Sequence, residues 1–215
     1  MSRLFVKICG ITRPEDGLAA AEAGADAIGL VFWPRSPRCV GVEEARSIAK
    51  ALPPSLVRVG VFVDAPREEM VRVADSVGLD LLQLHGGESP ETVFDLPRRA
   101  LKAIRVGEDF APAEALRYEG RAAGLLLDTR AAEAPGGTGR TFDWSLARAV
   151  TARARFVLLA GGLTPDNVAS AITAGRPHGV DVSSGVESAP GRKDHARVRA
   201  FVAAVRAAEA PGSGP

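Results

Sequence analysis

The 215-residue chain lacks several features that mark membrane, secreted or nucleic-acid-binding proteins. No apolar run approaches about 18 residues and no signal-peptide pattern opens the chain, so we expect neither membrane insertion nor export. Its two cysteines, Cys9 and Cys39, are too few for a disulfide framework, which favours the reducing cytoplasm. A net charge of +1 argues against a nucleic-acid or anionic-membrane surface.

Two phosphate-binding signatures are also missing. No GxGxxG follows the first apolar run, and no GxxxxGK[ST] occurs anywhere in the chain. These absences argue against a dinucleotide site and a P-loop. Hydrophobic residues make up 46% of the chain and charged residues 25%, the composition of an ordinary globular protein.

Eight short apolar runs are present, and their starts lie about 20 to 30 residues apart, the length of one strand plus one crossover helix. The runs are Leu4–Ile8, Ala27–Phe32, Val57–Phe62, Asp80–Leu84, Leu101–Val106, Gly124–Leu127, Phe156–Leu159 and Gly179–Val182. Several are continuously apolar, which indicates a sheet covered on both faces. The pattern predicts an α/β fold, a single-domain (β/α)8 TIM barrel with eight parallel strands over residues 1–210, followed by a flexible tail at 211–215.

Helix signals lie between these runs. The segments Thr12–Glu15, Ser89–Pro90 and Thr164–Pro165 each combine a capping hydroxyl with a proline suited to the first turn, and each predicts a helix start. Near the end of the chain, apolar residues recur at helical spacing and predict the buried face of a last helix: Val198, Phe201, Val202 and Val205.

Glycines and serines follow the last two runs. Gly161 and Gly162 come after the seventh run, and Ser183, Ser184 and Gly185 come after the eighth. In a parallel barrel the loops after these strands are the usual phosphate site, and glycine lets backbone N–H groups approach an anion closely. The pattern favours a phosphate site, although glycines that merely permit tight turns remain the alternative.

Candidate acid and base groups end two other runs. Cys9 ends the first run and Asp128 the sixth, so in a closed barrel both side chains can flank one small ligand. A free thiol titrates near about 8.5, and a nearby cation such as Lys7 would lower that value and favour a general base. Asp128 would be the partner acid if burial raises its pKa. A structural cysteine and a loop-capping aspartate are the alternatives.

Basic side chains offer a second anion site. The loop that carries Arg35 and Arg38 is stiffened by prolines, and arginine suits bidentate capture of a carboxylate. His85, after the fourth run, lies on the same face and can hydrogen-bond a ligand. A solvated surface loop is the alternative reading of the arginine segment.

A set of short motifs spans nearly the whole chain in one order: Lys7-Ile8-Cys9-Gly10-Ile11-Thr12, Gln83-Leu84-His85-Gly86, Leu127-Asp128-Thr129, Gly136-Gly137-Thr138-Gly139 with Phe142-Asp143-Trp144, Ala160-Gly161-Gly162-Leu163, and Val182-Ser183-Ser184-Gly185-Val186-Glu187 with Pro190-Gly191. In these motifs the chain resembles the phosphoribosylanthranilate isomerases of tryptophan biosynthesis. The resemblance implies a cofactor-free Amadori rearrangement of N-(5-phosphoribosyl)anthranilate to 1-(2-carboxyphenylamino)-1-deoxyribulose 5-phosphate, with no metal.

The resemblance also assigns roles to residues. It implies that Cys9 is the general base, that Asp128 is the general acid, and that Arg38, with Arg35 as the weaker candidate, contacts the anthranilate carboxylate. The expected substrate-binding residues are Lys7, Arg38, Gln83, His85, Gly161, Gly162, Asp181, Ser183, Ser184 and Gly185. We expect a cytoplasmic enzyme, monomer or homodimer, whose partner is a small phosphoribosyl compound and not a nucleic acid or a membrane.

Two alternatives stay open from the sequence. Another phosphate-binding barrel enzyme, such as aminoimidazole carboxamide ribotide isomerase or indole-glycerol-phosphate synthase, would be expected to use a carboxylate or a lysine in place of Cys9. A non-catalytic phosphosugar-binding module would need the phosphate loops but would have no use for Cys9 together with Asp128.

Overall fold

The computed structural model describes residues 3–107, 109–129 and 143–209. Its centre is a closed barrel of eight parallel strands in sequence order, which confirms the predicted fold. The strands are β1 (Phe5–Cys9), β2 (Ala27–Val31), β3 (Val57–Phe62), β4 (Leu81–Leu84), β5 (Ala100–Val106), β6 (Gly124–Thr129), β7 (Val157–Leu159) and β8 (Gly179–Val182). The predicted tail at 211–215 and the motif Gly136-Gly137-Thr138-Gly139 with Phe142 lie outside the described residues.

Helices follow the strands and surround the barrel. They are α1 (Pro14–Glu22), α2 (Val42–Ala51), α3 (Arg67–Val77), α4 (Pro90–Phe94), α5 (Pro112–Leu116), α6 (Ala147–Thr151), α7 (Val168–Gly175) and α8 (His195–Glu209). Between β8 and α8, the short strands β9 (Glu187–Ala189) and β10 (Arg192–Lys193) pair as an antiparallel hairpin. None of the helices in these described segments has the length and apolarity to span a bilayer.

The strands bury both faces, and alternate residues point to opposite sides. On β1, Val6 and Ile8 pack in the layer between barrel and helices, whereas Cys9 belongs to a cluster inside the barrel. On β6, Leu125 and Leu127 pack outward and Leu126 packs inside. The same alternation turns the side chain of Asp128 toward the barrel interior.

The last helix closes the outer ring by packing against α7 and α1. Its apolar face is the predicted one, since Val198, Phe201, Val202 and Val205 are all buried. This confirms the helical periodicity as the signal of a core-facing stripe.

Two of the three predicted helix starts are confirmed, since α1 begins at Pro14 and α4 at Pro90, but two of the three predicted side-chain caps are wrong. The Thr12 hydroxyl donates to the Gly191 carbonyl at 2.5 Å, so α1 begins at Pro14 without a side-chain cap. Thr164 precedes a turn in which its N–H donates to Asn167 Oδ1 at 2.8 Å, and α7 starts only at Val168. Only Ser89 caps its helix as predicted, by accepting from the Thr92 N–H. At Thr12 a tertiary contact uses the hydroxyl, whereas at Thr164 a turn separates the residue from the start of its helix.

We predict that Phe201→Ala lowers the free energy of unfolding by about 3–5 kcal/mol, because Phe201 is 0% exposed between α8 and the barrel and its removal leaves a cavity. Urea denaturation measures the change. Phe94→Ala is the matched control: that ring is 64% exposed, and the expected change is within about 0.5 kcal/mol. Equal effects of the two substitutions would contradict the packing described for α8.

Candidate active site

The predicted acid and base come from strand ends at one end of the barrel. Cys9 is the last residue of β1 and Asp128 the fifth of β6, so both belong to the strands and their inward orientation follows from strand alternation. His85 directly follows β4. The loops of Gly161 and Ser183 follow β7 and β8 at this same end. The carboxyl ends of barrel strands are where catalytic groups of this architecture gather.

Cys9 lies in a close-packed part of the inner wall. Its residue is 8% exposed and it clusters with Val31, Val61 and Trp33. Gly29 on the neighbouring strand makes room for it, because a Cβ there would lie 2.6 Å from Cys9 Sγ and 3.1 Å from Lys7 Nζ. Glycine at position 29 therefore leaves the space in which the Cys9 thiol and the Lys7 ammonium lie side by side against β2.

A buried ion pair lies beside the thiol. Lys7 Nζ donates to Asp181 Oδ1 at 2.9 Å, and the two residues are register partners on β1 and β8. The Lys7 side chain is fully buried. Burial acts to lower the pKa of Lys7, but Asp181 and Cys9 together hold it above its ordinary value, so Lys7 stays an ammonium.

The pKa of Cys9 differs in direction from the sequence expectation. Burial raises the pKa of the thiol, and the charge of Asp181 raises it further, while Lys7 and Lys193 act in the opposite direction. The net shift is upward. Lys7 therefore moderates the effect of burial without overcoming it, because a thiolate inside the barrel loses more hydration energy than one ammonium returns.

Asp128 contacts a histidine that the sequence placed on the same face. His85 Nε2 lies 3.2 Å from Asp128 Oδ2, and Gln83 Nε2 lies 3.0 Å from His85 Nδ1. Gln83 is buried inside the barrel, and its Oε1 has no hydrogen-bond partner among the described residues. If the amide donates to Nδ1, the ring proton is on Nε2 and points at Asp128.

The predicted phosphate loops have the backbone geometry that glycine permits. Gly161 and Gly162 have φ values of 82° and 65°. A Cβ at Gly185 would lie 1.9 Å from the Leu163 carbonyl oxygen, so the loops after β7 and β8 approach each other at backbone distance. Asn167 holds the first loop by donating from Nδ2 to the Gly162 carbonyl at 2.9 Å. Sequence analysis missed Asn167, although it is the only asparagine in the chain.

Arg38 is already bound to a carboxylate of the protein. Its Nε and Nη2 donate to Glu187 Oε1 and Oε2, both at 2.7 Å, and Lys193 Nζ donates to Glu187 Oε1 at 2.9 Å. The hydrogen bond to Glu187 raises the pKa of Arg38; Arg38 and Lys193 lower the pKa of Glu187 against the effect of burial. Arg35 instead lies over the Trp33 ring, 5.3 Å from its centroid.

A third buried ion pair supports the loop that carries His85. Lys102 Nζ donates to Glu88 Oε2 at 2.8 Å and to the Gly86 carbonyl at 2.7 Å. Glu88 Oε1 accepts from the N–H groups of Asp64 at 3.0 Å and Gly86 at 3.1 Å. Sequence analysis missed Glu88, Lys102, Glu187 and Lys193 as parts of the site. A lysine inside an apolar strand is a signal that could have identified Lys102, but it does not point to the other three residues.

The chain matches one protein family over nearly its whole length. Residues 6–204 match the family described as N-(5'phosphoribosyl)anthranilate (PRA) isomerase. An N-(5'-phosphoribosyl)anthranilate isomerase of Pseudomonas aeruginosa strain LESB58 is 55% identical, covering 96% of this chain and 97% of its own. The chain belongs to the phosphoribosylanthranilate isomerase family. This confirms the resemblance that the motifs indicated.

Solved structures of the family share the fold. The phosphoribosyl anthranilate isomerase of Thermotoga maritima has a TM-score of 0.89 and 44% identity, covering 95% of this chain and 99% of that one. Another phosphoribosyl anthranilate isomerase, solved in complex with reduced 1-(o-carboxyphenylamino)-1-deoxyribulose 5-phosphate, has a TM-score of 0.86 and 43% identity over the same shares. Family membership removes the two alternatives that the sequence left open.

We predict that Lys7→Met moves the ascending limb of the pH profile of kcat/KM to higher pH. Lys7 lowers the pKa of Cys9, so without it burial and Asp181 raise that pKa further and less thiolate is present at a given pH. The double variant Lys7→Met/Asp181→Asn removes both charges. Lys7 acts more strongly on the pKa of Cys9 than Asp181 does. The ascending limb of the double variant should therefore lie between that of the wild type and that of Lys7→Met.

The matched control is Lys50→Met, since Lys50 is an exposed lysine on α2. Its profile should overlay that of the wild type. Circular dichroism checks that each variant is folded, because an unpaired Asp181 inside the barrel destabilises the single variant. A limb that does not move in Lys7→Met would contradict the electrostatic link between Lys7 and Cys9.

Proposed function

We propose that this protein converts N-(5-phosphoribosyl)anthranilate to 1-(2-carboxyphenylamino)-1-deoxyribulose 5-phosphate by a cofactor-free Amadori rearrangement in tryptophan biosynthesis. The observation that carries the proposal is the pairing of a thiol on β1 with a carboxyl group on β6, both turned inward at the end of the barrel where the glycine loops lie. The relative solved with a reduced form of this product supports it.

Asp128 is the general acid of the proposed reaction. It gives a proton to the furanose ring oxygen, the C1′–O bond breaks, and the nitrogen lone pair forms the Schiff base. His85 Nε2 lies 3.2 Å from Asp128 Oδ2, so an N–H there stabilises the carboxylate that proton transfer leaves behind. Gln83 serves this step by fixing the tautomer of His85 through Nδ1.

Cys9 is the general base. As thiolate it removes the C2′ proton of the Schiff base, whose electrons shift to give the enolamine, and the enolamine tautomerises to the ketone. Lys7, next to Cys9 and paired with Asp181, provides positive charge beside the sulfur while the thiolate exists. The raised pKa of Cys9 makes it a stronger base once deprotonated.

Each end of the substrate has an anion, and each has a proposed site. The phosphate binds backbone N–H groups of the two loops, around Gly161, Gly162, Ser183, Ser184 and Gly185, where added side chains would block approach. The anthranilate carboxylate binds Arg38. Two fixed anion sites define the position of the pentose between them. Binding at both ends of the substrate thereby orients its reacting atoms toward the acid and the base.

The localisation, the partners and the oligomeric state remain predictions from the sequence. We propose a cytoplasmic protein that acts on this small molecule without a nucleic-acid or membrane partner, as a monomer or a homodimer.

We predict that Cys9→Ser lowers kcat at least a hundredfold, because a serine hydroxyl is far less acidic than a thiol and a placed proton-transfer group contributes about 10²–10⁴ in rate. The decay of phosphoribosylanthranilate fluorescence follows the reaction. Cys39→Ser is the matched control, since Cys39 is the exposed cysteine and should give near-normal turnover. Normal turnover of Cys9→Ser would refute the role of the base.

We predict a loss of similar size for Asp128→Asn, whose amide has the shape of the carboxyl group but cannot donate a proton as an acid does. KM should change little, because the two anion sites remain. Asp75→Asn, which weakens a surface pair with Arg98, is the control. If Asp128→Asn kept a kcat near that of the wild type, another residue would have to be the acid.

A further inference from the structure

We infer that Glu187 is a positioning residue for substrate recognition. It holds the edge of the Arg38 guanidinium formed by Nε and Nη2, so that the edge formed by Nη1 and Nη2 faces the anthranilate carboxylate. Lys193 supplies the charge that keeps this group of three side chains cationic. The inference rests on the proposed function, because it concerns the carboxylate that distinguishes this substrate from other phosphoribosyl compounds.

The hydrogen bonds of Arg38 leave donors for a second carboxylate. A guanidinium has five N–H donors in one plane. Glu187 takes the donor of Nε and one donor of Nη2, both at 2.7 Å. The remaining donors, two on Nη1 and one on Nη2, form another edge with the spacing that a carboxylate matches. Glu187 and the substrate can therefore bind Arg38 at the same time, on different edges.

Glu187 is too firmly held to act as a competitor that leaves when substrate binds. Its side chain is 5% exposed. Besides Arg38 it accepts from Lys193 Nζ at 2.9 Å and from the Gly191 N–H at 3.3 Å. Moving it away from Arg38 would leave buried charges without a partner, which is costly. A fixed carboxylate next to a binding arginine orients that arginine and restricts its rotamers.

The rest of Arg38 is fixed as well. A Cβ at Gly10 would lie 2.5 Å from Arg38 Cδ, so the aliphatic stem of the arginine lies directly over the backbone next to Cys9. The Arg38 N–H donates to Ser36 Oγ at 3.1 Å. Backbone, stem and guanidinium are thus each held by a different contact, which lowers the entropy that Arg38 loses when it binds a carboxylate.

Lys193 corrects the charge of the arrangement. Glu187 alone would neutralise Arg38 and weaken its attraction for an anion. Burial lowers the pKa of Lys193 although Glu187 opposes the shift, and with Lys193 as an ammonium the three side chains together carry one net positive charge. Lys193 is buried, and its Nζ also donates to the Ser183 carbonyl at 3.1 Å. Its backbone N–H donates to Asp16 Oδ2 at 3.0 Å, which fastens the β9–β10 hairpin to α1. The hairpin therefore links the two anion sites.

The test compares two substrates in the variant Glu187→Gln. One is phosphoribosylanthranilate, and the other is the analogue made with aniline, which lacks the carboxylate. An amide has one acceptor oxygen, and its NH₂ group would face the donors of Arg38 and Lys193. The pair of hydrogen bonds from Arg38 Nε and Nη2 is therefore lost. We expect KM for phosphoribosylanthranilate to rise about tenfold or more with kcat within about threefold, and KM for the analogue to stay within about twofold.

Four further variants make the result specific. Glu187→Asp keeps the charge but is too short to reach both nitrogens, so a smaller rise in KM is expected; it also tests the inference if Glu187→Gln does not fold. Glu43→Gln, in an exposed pair with Arg46 on α2, controls for the loss of one carboxylate and should leave both KM values unchanged. In Arg38→Met, adding Glu187→Gln should cause little further loss for phosphoribosylanthranilate.

The outcomes separate this inference from the proposed function. A wild-type protein that does not turn over phosphoribosylanthranilate contradicts the proposed function itself. If the wild type is active, three results overturn the inference alone: an equal rise in KM for both substrates, a fall in kcat at unchanged KM, or fully additive losses in the double variant with Arg38→Met.

Discussion

The ion pair between Lys7 and Asp181 inside the barrel is the interaction on which the site depends. It joins β1 to β8 where the barrel closes, and it lies next to Cys9. On stability alone the pair is a poor choice, because well-packed apolar residues in place of a buried ion pair are often neutral or more stable by about 1–4 kcal/mol. The neighbouring thiol explains why a charge lies here. Inside the barrel water does not stabilise the deprotonated form of Cys9, so a cation has to.

Lysine and arginine have different uses in this chain. Of 27 basic residues only four are lysines, and three of those four, Lys7, Lys102 and Lys193, are buried and paired with Asp181, Glu88 and Glu187. An ammonium is a compact charge whose donors point in several directions, so Lys102 can bind a carboxylate and two backbone carbonyls at once. The planar guanidinium of Arg38 instead suits a site where two carboxylates must be bound edge by edge.

Sequence patterns predicted the barrel and its reactive ends because both follow from local periodicity. Once the strands alternate, Cys9 and Asp128 must face inward at the same end. The buried ion pairs were beyond such reasoning, because tertiary structure sets them. Lys7 and Asp181 are 174 residues apart and become register partners only when the barrel closes, and Arg38 and Glu187 are 149 residues apart. The cap at Thr12 failed for a related reason, because its hydroxyl donates to the carbonyl of Gly191, which is distant in sequence.

The proposed acid and the proposed base lie in different electrostatic surroundings, and this difference supports their proposed roles. Burial raises the pKa of Cys9, and the ammonium groups of Lys7 and Lys193 oppose this by favouring the thiolate. Asp181 and Cys9 in turn raise the pKa of Lys7, so the ammonium keeps its protons while the sulfur exchanges its own. In the proposed reaction the proton removed from C2′ therefore goes to sulfur and does not have to displace one from lysine. On the other wall Asp128 Oδ2 lies 3.2 Å from Nε2 of His85, and an imidazole N–H there donates a hydrogen bond to the carboxylate without the charge of an ammonium. A lysine in place of His85 would stabilise the carboxylate form of Asp128 and so weaken it as an acid. The proposed reaction therefore needs an ammonium beside Cys9 and an imidazole beside Asp128.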